Sequence, residues 1–227
     1  MPAHATAQPA LVLFCRRPAP GIGKQRIAAA STPAFAAGLG ERLLATALED
    51  LSAWPGPIVI APAEPADLPW AREQAPERAT AIAQPGGNLG ERLEGVDRTL
   101  RSAGHTAILY IGSDAPLLDF AFHARARRAL EMADVVLAAA EDGGVTLMGS
   151  RLPWPPLADL PWSTTRLGDS LDRHCRAHGL SVGRLDGGYD CDTLEALPRL
   201  VADLGGDTRP ARRALLAWLT AEGIAPA

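Results

Sequence analysis

Short, wholly apolar runs alternate along this chain with stretches whose apolar residues recur at helical spacing, and that alternation restricts the fold more than any other feature. Residues 11–15, Leu-Val-Leu-Phe-Cys, are too few for a helix and unbroken by a polar residue. They read as a strand buried on both faces. Residues 34–51 carry Phe35, Leu39, Leu43, Leu44, Leu48 and Leu51 at helical spacing, and Trp54-Pro55-Gly56-Pro57 stops that helix. The same reading gives strands at 58–61, 107–111, 134–139, 145–148 and 180–185, with a short strand at 81–83. Helices are expected at 89–103 with Asn88 as N-cap, at 120–132, 163–178, 193–204 and 210–221. Residues 62–76, rich in proline and acid, read as loop with one short helical turn. Strand–helix alternation without an internal repeat or a clean linker predicts an α/β protein. Its central sheet should be mostly parallel and covered on both faces, within one domain over 10–227 that follows an unstructured tail over 1–9.

Composition removes several function classes. Lys and Arg number 22 against 26 Asp and Glu, a net charge of −4, which argues against a nucleic-acid-coating protein. No apolar run approaches the ~18 residues of a membrane span. The opening MPAHATAQPA lacks a basic region followed by an apolar core, so no secretory signal is expected there. Three cysteines, Cys15, Cys175 and Cys191, without a CxxC pair, fit neither a disulfide framework nor a zinc knuckle and suit a reducing cytoplasm. Oligomeric state is left open.

In open α/β sheets ligands sit outside the carboxyl ends of the strands, and the glycine, proline and aspartate clusters fall there. Residues 16–26, RRPAPGIGKQR, follow the first strand. Gly21 and Gly23 let backbone N–H groups approach an anion, and Arg16, Lys24 and Arg26 supply charge. A di- or triphosphate is the natural guest; a solvated surface loop is the competing reading. The loop is neither a Walker A motif nor GxGxxG. Asp114 in GSDAP and Asp192 in DCDT each suit a helix cap. Together they also suit Mg²⁺ or Mn²⁺, which binds through one or two carboxylates plus phosphate oxygens. Glu141-Asp142-Gly143-Gly144 suits a hairpin turn, with an alternative role for either acid toward a sugar, an acceptor or a metal-bound water. In 84–92, QPGGNLGER, Gly86 would admit a nucleobase against backbone and Arg92 would reach a phosphate, unless the segment is only a loop and helix cap. Trp162 is either core or a stacking surface. His174 and His178 read as exposed, His4, His105 and His123 as incidental, and Arg125, Arg127 and Arg128 as a solvated helix face.

Taken in order, LVLFCRRPAPGIGKQR, GNLGERL, ILYIGSDAPLL, DVVLAAAEDGGVTLMGS, PWSTT and DCDTLEAL resemble the bacterial radical-SAM/selenodomain-associated transferases, a family grouped with glycosyltransferases. That family is similar to the GT-A nucleotide-diphospho-sugar transferases and to cofactor-pathway nucleotidyltransferases. The resemblance runs from about Leu11 to Leu200. It implies a Rossmann-like GT-A three-layer sandwich that binds a nucleotide or nucleotide-sugar and passes a glycosyl group to a small-molecule acceptor. Nucleotidyl transfer and non-catalytic nucleotide binding are the alternatives. It implies nucleotide phosphates on Lys24 and Arg26, a divalent metal on Asp114 and Asp192, and catalytic roles for Asp114 and Asp142. Glu141, Gly143, Gly144 and Trp162 would lie on the acceptor side. The chain departs from the family pattern at Gln25, Ala115, Val145, Thr146 and Leu194-Glu195-Ala196, mostly on that acceptor side.

Overall fold

The computed structural model describes residues 8–227. Residues 1–7 of the expected tail lie outside the described residues. The Pro9 carbonyl already accepts a hydrogen bond from Trp54 Nε1 at 3.0 Å. Seven strands follow: β1 (Ala10–Cys15), β2 (Ile58–Pro62), β3 (Thr80–Ala81), β4 (Ile108–Ile111), β5 (Val135–Ala139), β6 (Val145–Ser150) and β7 (Val182–Asp186). They form one sheet in the order β3-β2-β1-β4-β6-β5-β7. Every pairing is parallel except those of β6, which runs antiparallel to β4 and β5. The exception has a local cause. β5 and β6 are joined by the tight Ala140–Gly144 turn, and so short a connection only permits antiparallel strands.

Eight α-helices accompany the sheet among the described residues: α1 (Gln25–Ala30), α2 (Pro33–Ala53), α3 (Leu68–Gln74), α4 (Leu89–Ser102), α5 (Phe120–Met132), α6 (Leu167–Ala177), α7 (Leu197–Asp203) and α8 (Pro210–Ala221). Several boundaries differ from the sequence reading. The loop after β1 ends at Lys24, because Gln25 and Arg26 already belong to α1. The segment 62–76 holds more helix than one turn, a 3₁₀ turn at Pro65–Asp67 running into α3. The helix expected from 163 starts only at Leu167, since Ser163 takes a left-handed φ of 59° that no helix continues through.

Side-chain alternation along β1 assigns the two faces. Leu11, Leu13 and Cys15 pack with α2, α3 and α5 on one side, while Ala10 and Val12 pack with α4 and α6 on the other. A third apolar cluster lies beyond the sheet. It joins Ile27, Leu39 and Leu43 to Cys191, Leu197, Leu200, Leu215 and Leu219, all of them buried. This cluster holds α1 and the segment before α7 against each other, and so brings residues 24 and 192 together. The same region contains Arg212, fully buried, whose guanidinium donates to the carbonyls of Thr46, Pro116 and Leu118 and pairs with Glu49 and Asp50. Two of those carbonyls belong to the loop after β4, which carries Asp114. Among the described residues no helix is long and apolar enough to cross a membrane.

Candidate active site

A cleft of about 660 Å³ opens at the carboxyl ends of β1, β2 and β4. Its lining includes Arg16, Gly23, Lys24, Gln84, Arg92, Asp114, Trp162 and Asp192. The loop after β1 is folded back on itself by an Ile22 N–H to Ala19 carbonyl bond of 2.9 Å, with Pro20-Gly21 at its tip. Gly21 has φ +80°, as position three of a Pro-Gly turn of type II requires. The chain then reaches Lys24, which also holds a left-handed φ, 49°, without glycine's freedom. Such a conformation persists when surrounding contacts over-determine it, and here they do. Lys24 Nζ donates to the Cys191 carbonyl at 2.7 Å and lies 3.1 Å from Asp114 Oδ1 and 3.2 Å from Asp192 Oδ1.

The two aspartates named from sequence therefore converge on one cation, although 77 residues of chain lie between them. Backbone holds them there: Cys191 N–H donates to the Asp114 carbonyl at 2.8 Å. Lys24 is 8% exposed at its side chain and each aspartate 41%, so the carboxylates present their remaining lone pairs to the cleft. Burial works to lower the Lys24 pKa, but Asp114 and Asp192 outweigh it and hold the ammonium above its usual range. Beside them Asp190 is pushed up to about 6, first by burial and then by Asp192, Asp142 and Asp114. Among the described residues no three His, Cys, Asp or Glu side chains are placed to hold a metal ion by themselves. Two hard oxygen donors that already share one positive charge do fit Mg²⁺ or Mn²⁺, provided the ligand adds its own oxygens.

Other expected site residues are placed differently. Arg26 is exposed on α1 and does not line the cleft, because the chain turns helical one residue earlier. Gly21 shapes the loop without touching the cleft, and Gly86 gives way to Gly87 on its wall. Gly87 has φ +103°, and a Cβ there would meet Glu91 Oε2 at 2.3 Å. That close turn leads into a capping box: Glu91 N–H donates to Asn88 Oδ1 at 3.1 Å, and Asn88 N–H to Glu91 Oε2 at 2.7 Å. Arg92 lines the cleft, but its Nε is already spent on the Gly87 carbonyl at 2.9 Å. The 84–92 segment is thus a helix cap and a cleft wall at once.

The acidic hairpin turn lies outside the cleft lining. Asp142 Oδ1 accepts from Gly144 N–H at 2.8 Å, closing its own turn. Glu141 is held by Arg199 through bonds of 2.6 and 2.8 Å, and that guanidinium lowers its pKa. Gly143 lies against the next segment so closely that a Cβ would meet the Thr165 carbonyl oxygen at 1.9 Å. Both acids and the glycine therefore have structural work in this turn. Trp162 lines the cleft and donates its indole N–H to the Leu157 carbonyl at 2.8 Å.

Sequence reasoning gave no role to Asp190, Arg199 or Arg212. Asp190 lies two residues before Asp192 in DCDT, and that was its one signal. Arg199 and Arg212 find their partners across the fold, so no local pattern marks them. His123, read as incidental, is 1% exposed, and burial followed by the Arg212 charge lowers its pKa to about 4.

The fold matches that of solved structural neighbours of the nucleotide-diphospho-sugar transferase type. A solved protein from Desulfovibrio desulfuricans G20, provisionally named a nucleotide-diphospho-sugar transferase, matches with a TM-score of 0.85 at 25% identity, over 95% of this chain and 96% of its own. The 4-diphosphocytidyl-2C-methyl-D-erythritol synthase of Anaerococcus prevotii DSM 20548 shares the fold at a TM-score of 0.55 and 9% identity, over 94% of this chain and 97% of that one. A cytidylyltransferase from Leptospira borgpetersenii serovar Hardjo-bovis does so at 0.55 and 12%, over 96% and 95%. The chain belongs to the bacterial family DUF2064, described as "uncharacterized protein conserved in bacteria", whose model matches residues 43–164. No curated protein matches the sequence.

Proposed function

We propose that the protein is a nucleotide-dependent transferase, binding a nucleotide or nucleotide-sugar in the strand-end cleft and passing the glycosyl group to a small-molecule acceptor. The observation that carries this reading is the convergence of Lys24, Asp114 and Asp192 beside a glycine-bearing loop. Lys24, together with Arg16 and the free nitrogens of Arg92, binds the donor's phosphates. Asp114 and Asp192 would hold Mg²⁺ or Mn²⁺, whose charge, when bound, would offset that of a departing diphosphate. Fixed positive groups aimed at a leaving group lower the barrier because they need no reorganisation as charge develops. The acidic turn supports the acceptor side indirectly, through Glu141, Arg199 and the Gly188–Asp192 segment.

Support comes from the Desulfovibrio relative's likeness over nearly the whole chain and from the motifs shared with the radical-SAM/selenodomain-associated transferases. One domain over 10–227 and a cytoplasmic setting belong to the same reading, the latter in keeping with three free, buried cysteines. Calorimetry with a panel of nucleotide-sugars and nucleoside triphosphates, with and without Mn²⁺, tests it. Metal-dependent binding of at least one donor is expected. Absence of binding by every nucleotide sinks the proposal, and binding that ignores both Mn²⁺ and Asp114→Asn replaces the catalyst with a binding protein.

A further inference from the structure

The end of the sheet opposite the cleft carries a pair of imidazoles that the transferase reading does not use. α6 supplies none of the cleft lining. Its last turn feeds β7, which runs parallel to β5, so that turn lies at the strands' amino ends. His174 stands in this turn and His178 caps it, four residues on. Side chains at that spacing share a helix face, and here the ring centroids are 4.4 Å apart with planes at 55°. His178 is exposed, as its sequence suggests, but His174 is half-buried.

Two separate observations point to a ligand for these rings. The first is a tautomer. His178 Nδ1 lies 2.9 Å from the His174 carbonyl oxygen. A carbonyl only accepts, so the proton is on Nδ1 and the neutral ring keeps its lone pair on Nε2. Metal-binding histidines are held in this way, one ring nitrogen donating to a carbonyl or carboxylate while the other binds. The second is an unpaired atom. Among the described residues three buried side-chain atoms have no hydrogen-bond partner: His123 Nδ1, Trp154 Nε1 and His174 Nε2. Buried polar atoms are normally paired, and one that is not calls for a water, an ion or a functional reason. Of the three, His174 Nε2 belongs to a ring packed on a second imidazole.

The spacing of the rings suits one ion. With metal–nitrogen bonds of ~2.0–2.1 Å, two imidazoles bound side by side to a single ion hold their centroids roughly 4.5–5 Å apart. The observed 4.4 Å needs only a small opening of the exposed His178 ring. Cys175 is no third ligand, since it is fully buried and burial pushes its thiol up to about 11. Imidazole nitrogens suit Zn²⁺, Ni²⁺ and Cu²⁺, whereas Mg²⁺ and Mn²⁺ favour carboxylate oxygen.

We infer that His174 and His178 form a binding site for a transition-metal ion of the Zn²⁺, Ni²⁺ and Cu²⁺ class, separate from the carboxylate pair in the cleft. Water fills the ion's remaining positions. Cys175 stands where a hydrolytic HExxH helix has its glutamate, so the site binds an ion without a base to activate that water. The inference stands whether or not the cleft takes a nucleotide.

Ni²⁺ and Cu²⁺, titrated into the untagged whole protein with Mg²⁺ in excess as competitor for the carboxylates, test it. Calorimetry should count one Ni²⁺ per chain. His178→Gln, a change at an exposed position, should weaken that binding at least tenfold. The electron paramagnetic resonance spectrum of the Cu²⁺ form should show nitrogen hyperfine splitting, which carboxylate ligands do not give. That spectrum is read on the wild type, so it stands however a variant folds. Displacement of Ni²⁺ by Mg²⁺, a Cu²⁺ spectrum without nitrogen coupling, or equal affinity in wild type and His178→Gln overturns the inference and leaves His178 as a helix cap.

Discussion

Two ion clusters in this molecule use the same chemistry to opposite ends. Around Arg212 a cation is sealed in: its side chain is 0% exposed, and it meets Glu49, Asp50 and the carbonyls of Thr46, Pro116 and Leu118. Around Lys24 a cation is buried, but the two carboxylates it meets are 41% exposed and face a cleft. Arginine's fork has five donors in fixed directions and suits permanent multi-point bonding, whereas lysine is a point charge that a rival cation or an anion can redirect. The closed cluster holds the loop that carries Asp114; the open one offers that loop's aspartate to a ligand. Charge buried with every donor used is structure, and charge buried beside unused lone pairs is a site.

Breaking the closed cluster should cost most. Arg212→Met leaves the buried Asp50 with Arg209 alone, at 3.3 Å, and frees the Pro116 and Leu118 carbonyls. Removing one member of a buried pair typically costs about 3–5 kcal/mol. Urea unfolding should show a loss on that scale. A loss within about 0.5 kcal/mol, the usual range for a surface change, would mean that the cluster does not organise the fold.

His123 sharpens the comparison because it packs between the two clusters, sharing a small cavity with Asp50, Ser113 and Ala115. Burial and then Arg212 lower its pKa from 6.5 to about 4. The folded protein therefore binds this proton less readily than the unfolded chain does. The resulting stability is present above pH 6.5 and is lost as pH falls toward 4, by up to about 3 kcal/mol at 1.36 kcal/mol per unit. Asp50 works against it: burial pushes that carboxyl up to about 6 despite Arg212, so its contribution improves as pH falls. The difference between wild type and His123→Phe, followed by urea unfolding from pH 7 to 4, removes the Asp50 part. A difference that stays flat over that range would show that His123 is not held neutral by the fold.

How much of this could be read beforehand follows from the range of the interactions. The apolar runs announced the strands, since burial on both faces leaves no room for polar residues. Asn88 announced its helix, because a cap is a contact three residues long. The metal reading needs Asp114 and Asp192 to converge, and the packing of Ile27 and Cys191 in one apolar cluster brings them together. Arg212 looks like its exposed neighbour Arg213 in the sequence. Only the tertiary fold separates the buried guanidinium from the free one. The Glu141–Gly144 turn was legible as a hairpin, but the contacts of its acids were not. Their partners, Arg199 and the Gly144 N–H, lie outside any local pattern or within the turn itself.

Opening the Lys24 cluster should have smaller effects on folding and clearer ones on ligands. Asp114→Asn keeps the shape and removes one charge of the pair. It should leave unfolding within about 1 kcal/mol of wild type, since a half-exposed pair contributes little. Nucleotide affinity in the presence of Mn²⁺ should fall at least tenfold, or 1.4 kcal/mol. Unchanged affinity would reduce the open cluster to a second structural one.

The sharpest test of the open cluster is the substitution that separates its two functions. In the free protein the Lys24 ammonium sits where Asp114 and Asp192 would meet a metal, so ammonium and metal compete for the same oxygens. Lys24→Met removes the competitor and leaves two like charges that attract any divalent ion more strongly. Calorimetry without nucleotide should therefore show Mn²⁺ bound several-fold more tightly by the variant, while nucleotide affinity falls because a phosphate contact is gone. A structural lysine predicts something else: removing it would unsettle the loop and weaken both ligands together. Opposite signs for metal and nucleotide are expected only if one cation holds the place of another until the donor arrives, and losses of the same sign would return Lys24 to the company of Arg212.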